Sequence, residues 1–276
     1  MQSLHRGLML LEAVDLYGPL TLAELTRELD WDKGSVSRTV TSCAAEGWLV
    51  RDGSLLRLGP RAALLGRDNA AAAVAREADV LVHAVAGVTG LPTQAYLLAG
   101  DRGAVIASAA APGRQAAQLR AVRMPLWASA AGKVLASQVD PDTIRTWFPT
   151  EALPDASELA TLATPREVRI VTNSLPADPA SAIEGSTTLA RTRTELERQL
   201  SMIREQGLFI ERGELIFNGG CIAVPWPLPG LVGAIACIGA LADVEHDRSR
   251  IERTLRAATR PGATRESIVT AAAKRN

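Results

Sequence analysis

Lysine is nearly missing from this sequence. Of 30 basic residues only Lys33, Lys133 and Lys274 are lysines, and 30 acidic residues bring the formal net charge to zero. A balanced chain does not coat nucleic acid by bulk charge, so any such role needs a local basic surface. Cysteine is as scarce. Cys43, Cys221 and Cys237 stand alone in apolar surroundings with no CxxC pair, which excludes a disulfide framework and suits a reducing cytoplasm. His5, His83 and His246 lie far apart, without acidic or Cys neighbours at ligand spacing, so no metal and no cofactor is expected. The GxSxG, HExxH and GxxxxGK[ST] patterns are all missing. Carboxylate pairs such as Glu211 and Glu214 occur, but any acidic turn offers that. No catalytic residue is assigned.

What is present fits about two domains. The chain has 276 residues, 47% apolar and 22% charged, a globular composition. The N-terminal apolar run is interrupted by Glu12 and Asp15 and does not read as a signal peptide. Residues Leu215 to Ala242 carry no charge and are long enough to span a bilayer. Pro225, Pro227 and Pro229 fall in their middle, so two buried strands joined by a Pro-rich turn are expected, and no membrane association.

The first 60 residues read as helix, helix, helix and hairpin. Leu4, Leu8 and Leu11 share one face of a first helix that Gly18-Pro19 stops. Thr21 with Glu24 makes a capping box before the second. A third is expected from Lys33 to Glu46, with Val36, Val40 and Cys43 inward and Gly47 at its end. Asp52-Gly53 between two apolar runs predicts a hairpin. This is the winged helix-turn-helix order, in which the third helix enters the major groove. Its exposed start offers Lys33, Gly34, Ser35, Ser37 and Arg38, and the wing offers Arg51 and Arg57. Lys and Arg suit guanine edges, Ser suits phosphates, and Gly lets the backbone come close. Residues 1–60 hold six basic and eight acidic side chains, a count that slightly favours a protein-interaction module. The signs are segregated, however: acids crowd the first two helices, while Lys33 and Arg38 lead the third.

An Ala-rich helical stretch from Ala62 to about Ala86, bent near Gly66, is expected to link two domains. Strands are expected at 93–99, 104–109, 208–210, 221–224 and 232–238. Helices are expected at 129–137, at 140–147, from Glu195 to Gln206 with Thr194 as cap, and over most of 247–274 with a break at Pro261-Gly262. Residues 150–191, rich in Pro, Ser, Thr and Asp, read as a long irregular excursion that is expected to be mobile or to act as a lid or contact surface.

Several runs carry a family resemblance. Leu25 to Arg38, Glu46 to Asp52 and Arg57 to Pro60 resemble the IclR family of bacterial transcription regulators. So do Pro125-Leu126-Trp127-Ala128-Ser129-Ala130-Ala131-Gly132-Lys133, Ile203 to Gly207, and Cys221 to Pro225 with the strand to Gly239, in matching order over nearly the whole chain. The resemblance implies an α+β protein: a winged helix-turn-helix over 1–62, a linker helix over 63–80, and a GAF-like α/β effector-binding and oligomerisation domain over 81–276. It implies a non-enzymatic cytoplasmic regulator, a repressor rather than an activator. Its partners would be double-stranded operator DNA, a small organic effector and a second copy of itself, as homodimer or dimer of dimers. The alternative is a small-molecule enzyme, or a ligand-independent interaction protein, with an appended winged helix.

The effector site implied includes Trp127, Ser129, Ala130, Ala131, Gly132, Cys221, Ala236 and Ile238. Free N–H groups at the Ser129 to Gly132 helix start attract carboxylates, although Ser129 could simply cap its own helix. Cys221 and Trp127 could face a ligand or pack the core. The family usually has His at Trp127 and often Ser at Ala236 and Ile238. These departures predict a bulkier and more apolar effector than a short hydroxy or keto acid, unless they pack the domain shut.

Overall fold

A computed structural model describes residues 2–65, 70–110, 123–154, 189–214 and 219–273. Among them, residues up to Val74 form one compact unit and those from Ala75 onward a second.

The first unit contains α1 (Gln2–Tyr17), β1 (Leu20–Thr21), α2 (Leu22–Leu29), α3 (Lys33–Ala45), the hairpin β2 (Leu49–Asp52) and β3 (Leu55–Leu58), and α4 (Pro60–Leu65). The Thr21 capping box is formed, with Thr21 Oγ1 accepting from Glu24 N and Glu24 returning to Thr21 N at 2.8 Å. Asp30 closes α2 in the left-handed conformation, φ 52°, a role that short polar side chains tolerate. Leu25, Val36, Val40, Leu49 and Leu56 are fully buried together with Leu10. Each such burial contributes roughly 1.5–3 kcal/mol. The expected face of α1 is corrected. Leu10, Ala13 and Val14 are inward, whereas Leu4 and Leu8 are exposed. Apolar residues occupy more than one side of that helix, so periodicity alone does not choose. The wing turn is Gly53-Ser54, with Asp52 paired to Leu55 at the strand end. β1 pairs with β3, giving a three-stranded sheet in the order β1-β3-β2.

α5 (Ala70–Thr89) follows and ends three residues beyond the Ala86 at which the linker pattern is expected to stop. The expected bend at Gly66 lies outside the described residues.

The second unit is built on an antiparallel sheet in the order β6-β5-β4-β9-β8-β7. The strands are β4 (Thr93–Ala99), β5 (Arg102–Ala109), β6 (Arg123–Pro125), β7 (Phe209–Arg212), β8 (Gly219–Leu228) and β9 (Leu231–Ala240). The Pro-rich stretch is not all turn. Pro225 and Pro227 sit inside β8, opposite Ala234 and Val232, and only Pro229-Gly230 makes the turn. β7 pairs with β8 no further than Ala223. Beyond it β8 runs as an edge, where a missing N–H costs nothing.

One face of this sheet carries α6 (Ala130–Ser137), α7 (Pro141–Trp147) and α8 (Arg193–Gln206), all contributing to one apolar core. The α8 cap is Thr192 with Glu195 in a capping box, two residues before the expected Thr194. α9 (Leu241–His246), α10 (Arg248–Ala258) and α11 (Arg265–Ala273) complete the chain. Most of the 150–191 excursion lies outside the described residues. Its two ends are tied side by side, Leu153 N to Arg191 O at 3.0 Å and Arg193 N to Glu151 O at 2.7 Å. No helix of the described residues is long and apolar enough to cross a membrane.

Candidate functional site

In the first unit the helix start is fixed by Asp32, whose Oδ1 accepts from Ser35 N at 2.8 Å. Bonds from the Ser35 side chain and N–H hold that carboxyl below its usual range. Lys33, Gly34 and Arg38 are exposed and Ser37 half-exposed along the first turn and a half of α3. Ser35 is buried. Its hydroxyl accepts from Arg38 Nη2 at 3.3 Å, so it positions the guanidinium and presents little of its own surface. The wing separates its two arginines. Arg57 pairs with Val50 and Arg51 with Leu56, which puts Arg51 and Arg57 on opposite faces of the hairpin. Arg57 also holds Asp52 at 3.0 Å, an exposed pair worth little.

Arg61 was not expected here. Its guanidinium lies 4.6 Å from the centre of the Trp48 ring and donates to Glu46 O and Oε2 at 3.1 and 2.8 Å. Its N–H donates to Gly47 O. α4 is thereby fastened to the junction of α3 and the wing. The only sequence signal was an arginine directly after Pro60 at a helix start.

In the second unit the register aligns Glu211, Cys221 and Ile238 across β7, β8 and β9, with Phe209, Ala223 and Ala236 in the next row. Gln94 stands beside Ala236, and Tyr96 beside Ala234. All share the sheet face that packs on α6. The structure therefore brings Cys221, Ala236 and Ile238 together with the Trp127 to Gly132 segment. Ser129 caps α6, its hydroxyl accepting from Gly132 N at 3.0 Å. A Cβ on Gly132 would collide with Pro125 O and Leu126 Cα, so close packing of α6 on that backbone requires glycine. Trp127, Ala130, Ala131 and Ala236 are buried, and Ile238 is partly so.

The Ala130 and Gly132 N–H groups at this helix start already have partners. Glu211 Oε2 accepts from Ala130 N at 3.1 Å. One turn on, the ammonium of Lys133 pairs with Glu214 Oε2, both side chains fully enclosed, and stands 4.6 Å from the Phe209 ring centre. Tyr96 donates to Gln94 Oε1. Burial, helped by the nearby Cys221 and Glu211, pushes the Tyr96 phenol well up. Burial likewise raises the Cys221 thiol, with Glu211 adding to it, and raises Cys237 to about 11. Both thiols are therefore neutral and poorly nucleophilic. Sequence reasoning set Glu211 and Glu214 aside as an acidic turn. The available signal was one of three lysines placed in the apolar run that opens α6. Among the described residues no group of His, Cys, Asp and Glu could hold a metal ion.

The family model described as the IclR helix-turn-helix domain matches residues 3–53. No curated protein matches the chain in sequence. Several solved structures share its fold from end to end. An IclR transcriptional regulator from Alicyclobacillus acidocaldarius is 21% identical, with 99% of each chain covered and a TM-score of 0.62. An IclR homologue from Microbacterium hydrocarbonoxydans, complexed with 4-hydroxybenzoate, is 19% identical, with 98% of each covered and a TM-score of 0.65. The IclR of Thermotoga maritima is 15% identical, with 98% of each covered and a TM-score of 0.57.

Proposed function

We propose that this chain is an IclR-type transcriptional regulator, in which α3 reads operator DNA while a small organic effector bound against α6 sets the affinity; the match of residues 3–53 to the IclR helix-turn-helix domain and the fold shared with solved IclR regulators support this reading. The observation that carries the DNA half is the start of α3, where Lys33 and Arg38 stand exposed and Ser35 steadies the Arg38 guanidinium. Arg38 contacts a base edge, and Lys33, Ser37, Arg51 and Arg57 contact phosphates. The protein works as a homodimer, able to pair into a dimer of dimers. The exposed Leu4 and Leu8 are apolar surface suited to a second copy. It acts in the cytoplasm and catalyses no reaction; the Glu211 and Glu214 carboxylates beside α6 are engaged by Ala130 N–H and Lys133 and so are not offered as a general acid or base.

The effector half rests on Cys221, Ala236 and Ile238 sharing one sheet face opposite Trp127 and Ser129 to Gly132, together with the 4-hydroxybenzoate carried by the Microbacterium structure. Gel-shift titration of the DNA upstream of its gene, at several salt concentrations, tests the DNA half. Wild type should bind with affinity falling steeply as salt rises. Arg38→Ala should lose about 1–3 kcal/mol and relax specificity at one position. Unchanged affinity would remove α3 from the interface.

A further inference from the structure

Polar groups converge on the first turn of α6, and most are already matched within the chain. The Ala130 N–H, which a helix start ordinarily offers to an anion, is occupied by Glu211 Oε2 at 3.1 Å. The Lys133 ammonium is occupied by Glu214 Oε2. A carboxylate ligand would find neither that N–H nor that cation free, and it would arrive beside two buried carboxylates of its own sign. Two buried side-chain atoms of residues next to α6 remain open. Glu214 Oε1 is an acceptor with no hydrogen-bond partner, and Trp127 Nε1 is a donor with none. Both residues are only 2% exposed. Buried polar atoms in folded proteins are nearly always matched, so an unmatched donor and acceptor flanking one helix start point to a group from outside the chain. The neighbouring sheet positions are small, Ala223, Ala234 and Ala236, and carry no competing polar atoms.

We propose that the effector is an uncharged molecule with an apolar body and a hydroxyl or carboxamide head. Its O–H or N–H donates to Glu214 Oε1, its oxygen accepts from Trp127 Nε1, and Glu211 keeps carboxylates out. This rests on the reading of the second unit as an effector domain. A hydroxyl or a primary amide brings both a donor and an acceptor, whereas a carboxylate lacks the donor and an ammonium lacks the acceptor. In a site closed to water the missing partner decides the choice, because a buried group built to hydrogen-bond rejects the analogue that lacks its counterpart.

Calorimetry on the full chain without DNA tests this with matched probes. Phenyl, cyclohexyl and hexyl bodies are each offered with carboxamide, hydroxymethyl, carboxylate and ammonium heads, as in benzamide, benzyl alcohol, benzoate and benzylammonium. For at least one body the amide or alcohol should bind tenfold or more tighter than the carboxylate and the ammonium. Glu211→Ala, which vacates the Ala130 N–H, should raise benzoate affinity at least tenfold. Trp127→Phe should lower amide affinity about tenfold at unchanged secondary structure. A carboxylate binding wild type as tightly as its amide overturns the proposal, as does a Glu211→Ala protein with no gain for benzoate. Failure of every probe overturns it as well and leaves the two open atoms to buried water. If Glu211→Ala does not melt cooperatively, Glu211→Gln keeps an acceptor for Ala130 N–H while removing the charge, and a gain for benzoate is expected there too. Gel shifts on the same preparations separate the two readings. Lost DNA binding with the head-group preference intact counts against the regulator, not against the effector class.

Discussion

In the first unit Lys33, Arg38, Arg51 and Arg57 stand in solvent, and the acids near them are either helix caps or exposed partners. In the second, Lys133, Glu211 and Glu214 have almost no contact with water, and each meets a specific group of α6 or its facing strand. The same residue types thus do opposite work. Exposed charges are screened, cost little to place, and can exchange counter-ions for phosphates. Enclosed charges cost desolvation, and their geometry is fixed by whatever repays it. The two arrangements fit the proposal of a surface that meets a polyanion and an enclosed site that takes one small molecule.

Lys133→Met strikes the contrast hardest. It leaves Glu214 enclosed without its cation and should destabilise the second unit by about 3–5 kcal/mol. The double variant Lys133→Met/Glu214→Leu should recover most of that loss, because the pair itself contributes little net stability. Urea unfolding followed by circular dichroism measures both. A small loss from the single variant would mean that water reaches the pair.

Next come the wing arginines. Arg51→Ala and Arg57→Ala should each weaken DNA binding about equally across sequences and reduce the salt slope by about one. They lie on opposite faces of the hairpin, so a response to one substitution alone would contradict this and show that the wing meets DNA with a single face. Parallel salt titrations of the two variants decide which face it is.

Alkali should single out the second unit. Tyr96, Cys221 and Cys237 all have raised pKa values through burial, Cys237 to about 11. The folded state therefore holds these protons more tightly than the unfolded chain. Their contribution is complete below the ordinary thiol value near 9 and falls as pH rises from there through about 11. In the first unit Cys43 is raised as well, but it is partly exposed. Acid acts on both units. Glu24 and Asp32 in one, and Glu151 and Glu195 in the other, are lowered chiefly by hydrogen bonds at helix starts. Their contribution is present above the ordinary carboxylate range and lost as pH falls below it. Fluorescence melting curves between pH 7 and 11, of the wild type and of a variant with both Trp31 and Trp48 replaced by Phe so that Trp127, Trp147 and Trp226 report on the second unit alone, should show the second unit weakening first.

The smallest effect belongs to Arg61→Ala. Its ion pair with Glu46 is exposed and its stacking on Trp48 is at the surface, together worth about 1 kcal/mol of stability. Its consequence should be larger in coupling, because α4 is held to the wing through it. The ratio of operator affinities with and without effector is the quantity to compare with wild type.

How much of this was readable beforehand follows the same divide. In the first unit local signals suffice. Thr21 with Glu24, Gly47 after the third helix and Gly53 in the hairpin each fix a boundary through backbone chemistry that operates within a few residues. The face of α1 was misjudged because its apolar residues surround the helix, and which side is buried depends on α2 and β3. In the second unit β4 was legible to the residue, since the Gly100 to Gly103 turn that ends it is a local signal. β8 was not, because Pro225 and Pro227 are tolerated only where β7 stops at Ala223, a fact about the neighbouring strand. The same holds for the site. Ser129 as a helix cap could be read from the sequence, whereas Glu211 and Glu214 reach α6 from more than 70 residues away, through sheet register that no local pattern encodes.

Selection of duplex DNA from a random library by the full-length protein tests the central claim most directly. The account predicts enrichment of an inverted repeat whose half-sites are centred about one helical turn apart, or a multiple of it. Arg38→Ala should enrich a degenerate version with one position in each half-site relaxed. Recovery of no consensus by the wild-type protein, or of the same consensus at full stringency by Arg38→Ala, would contradict it.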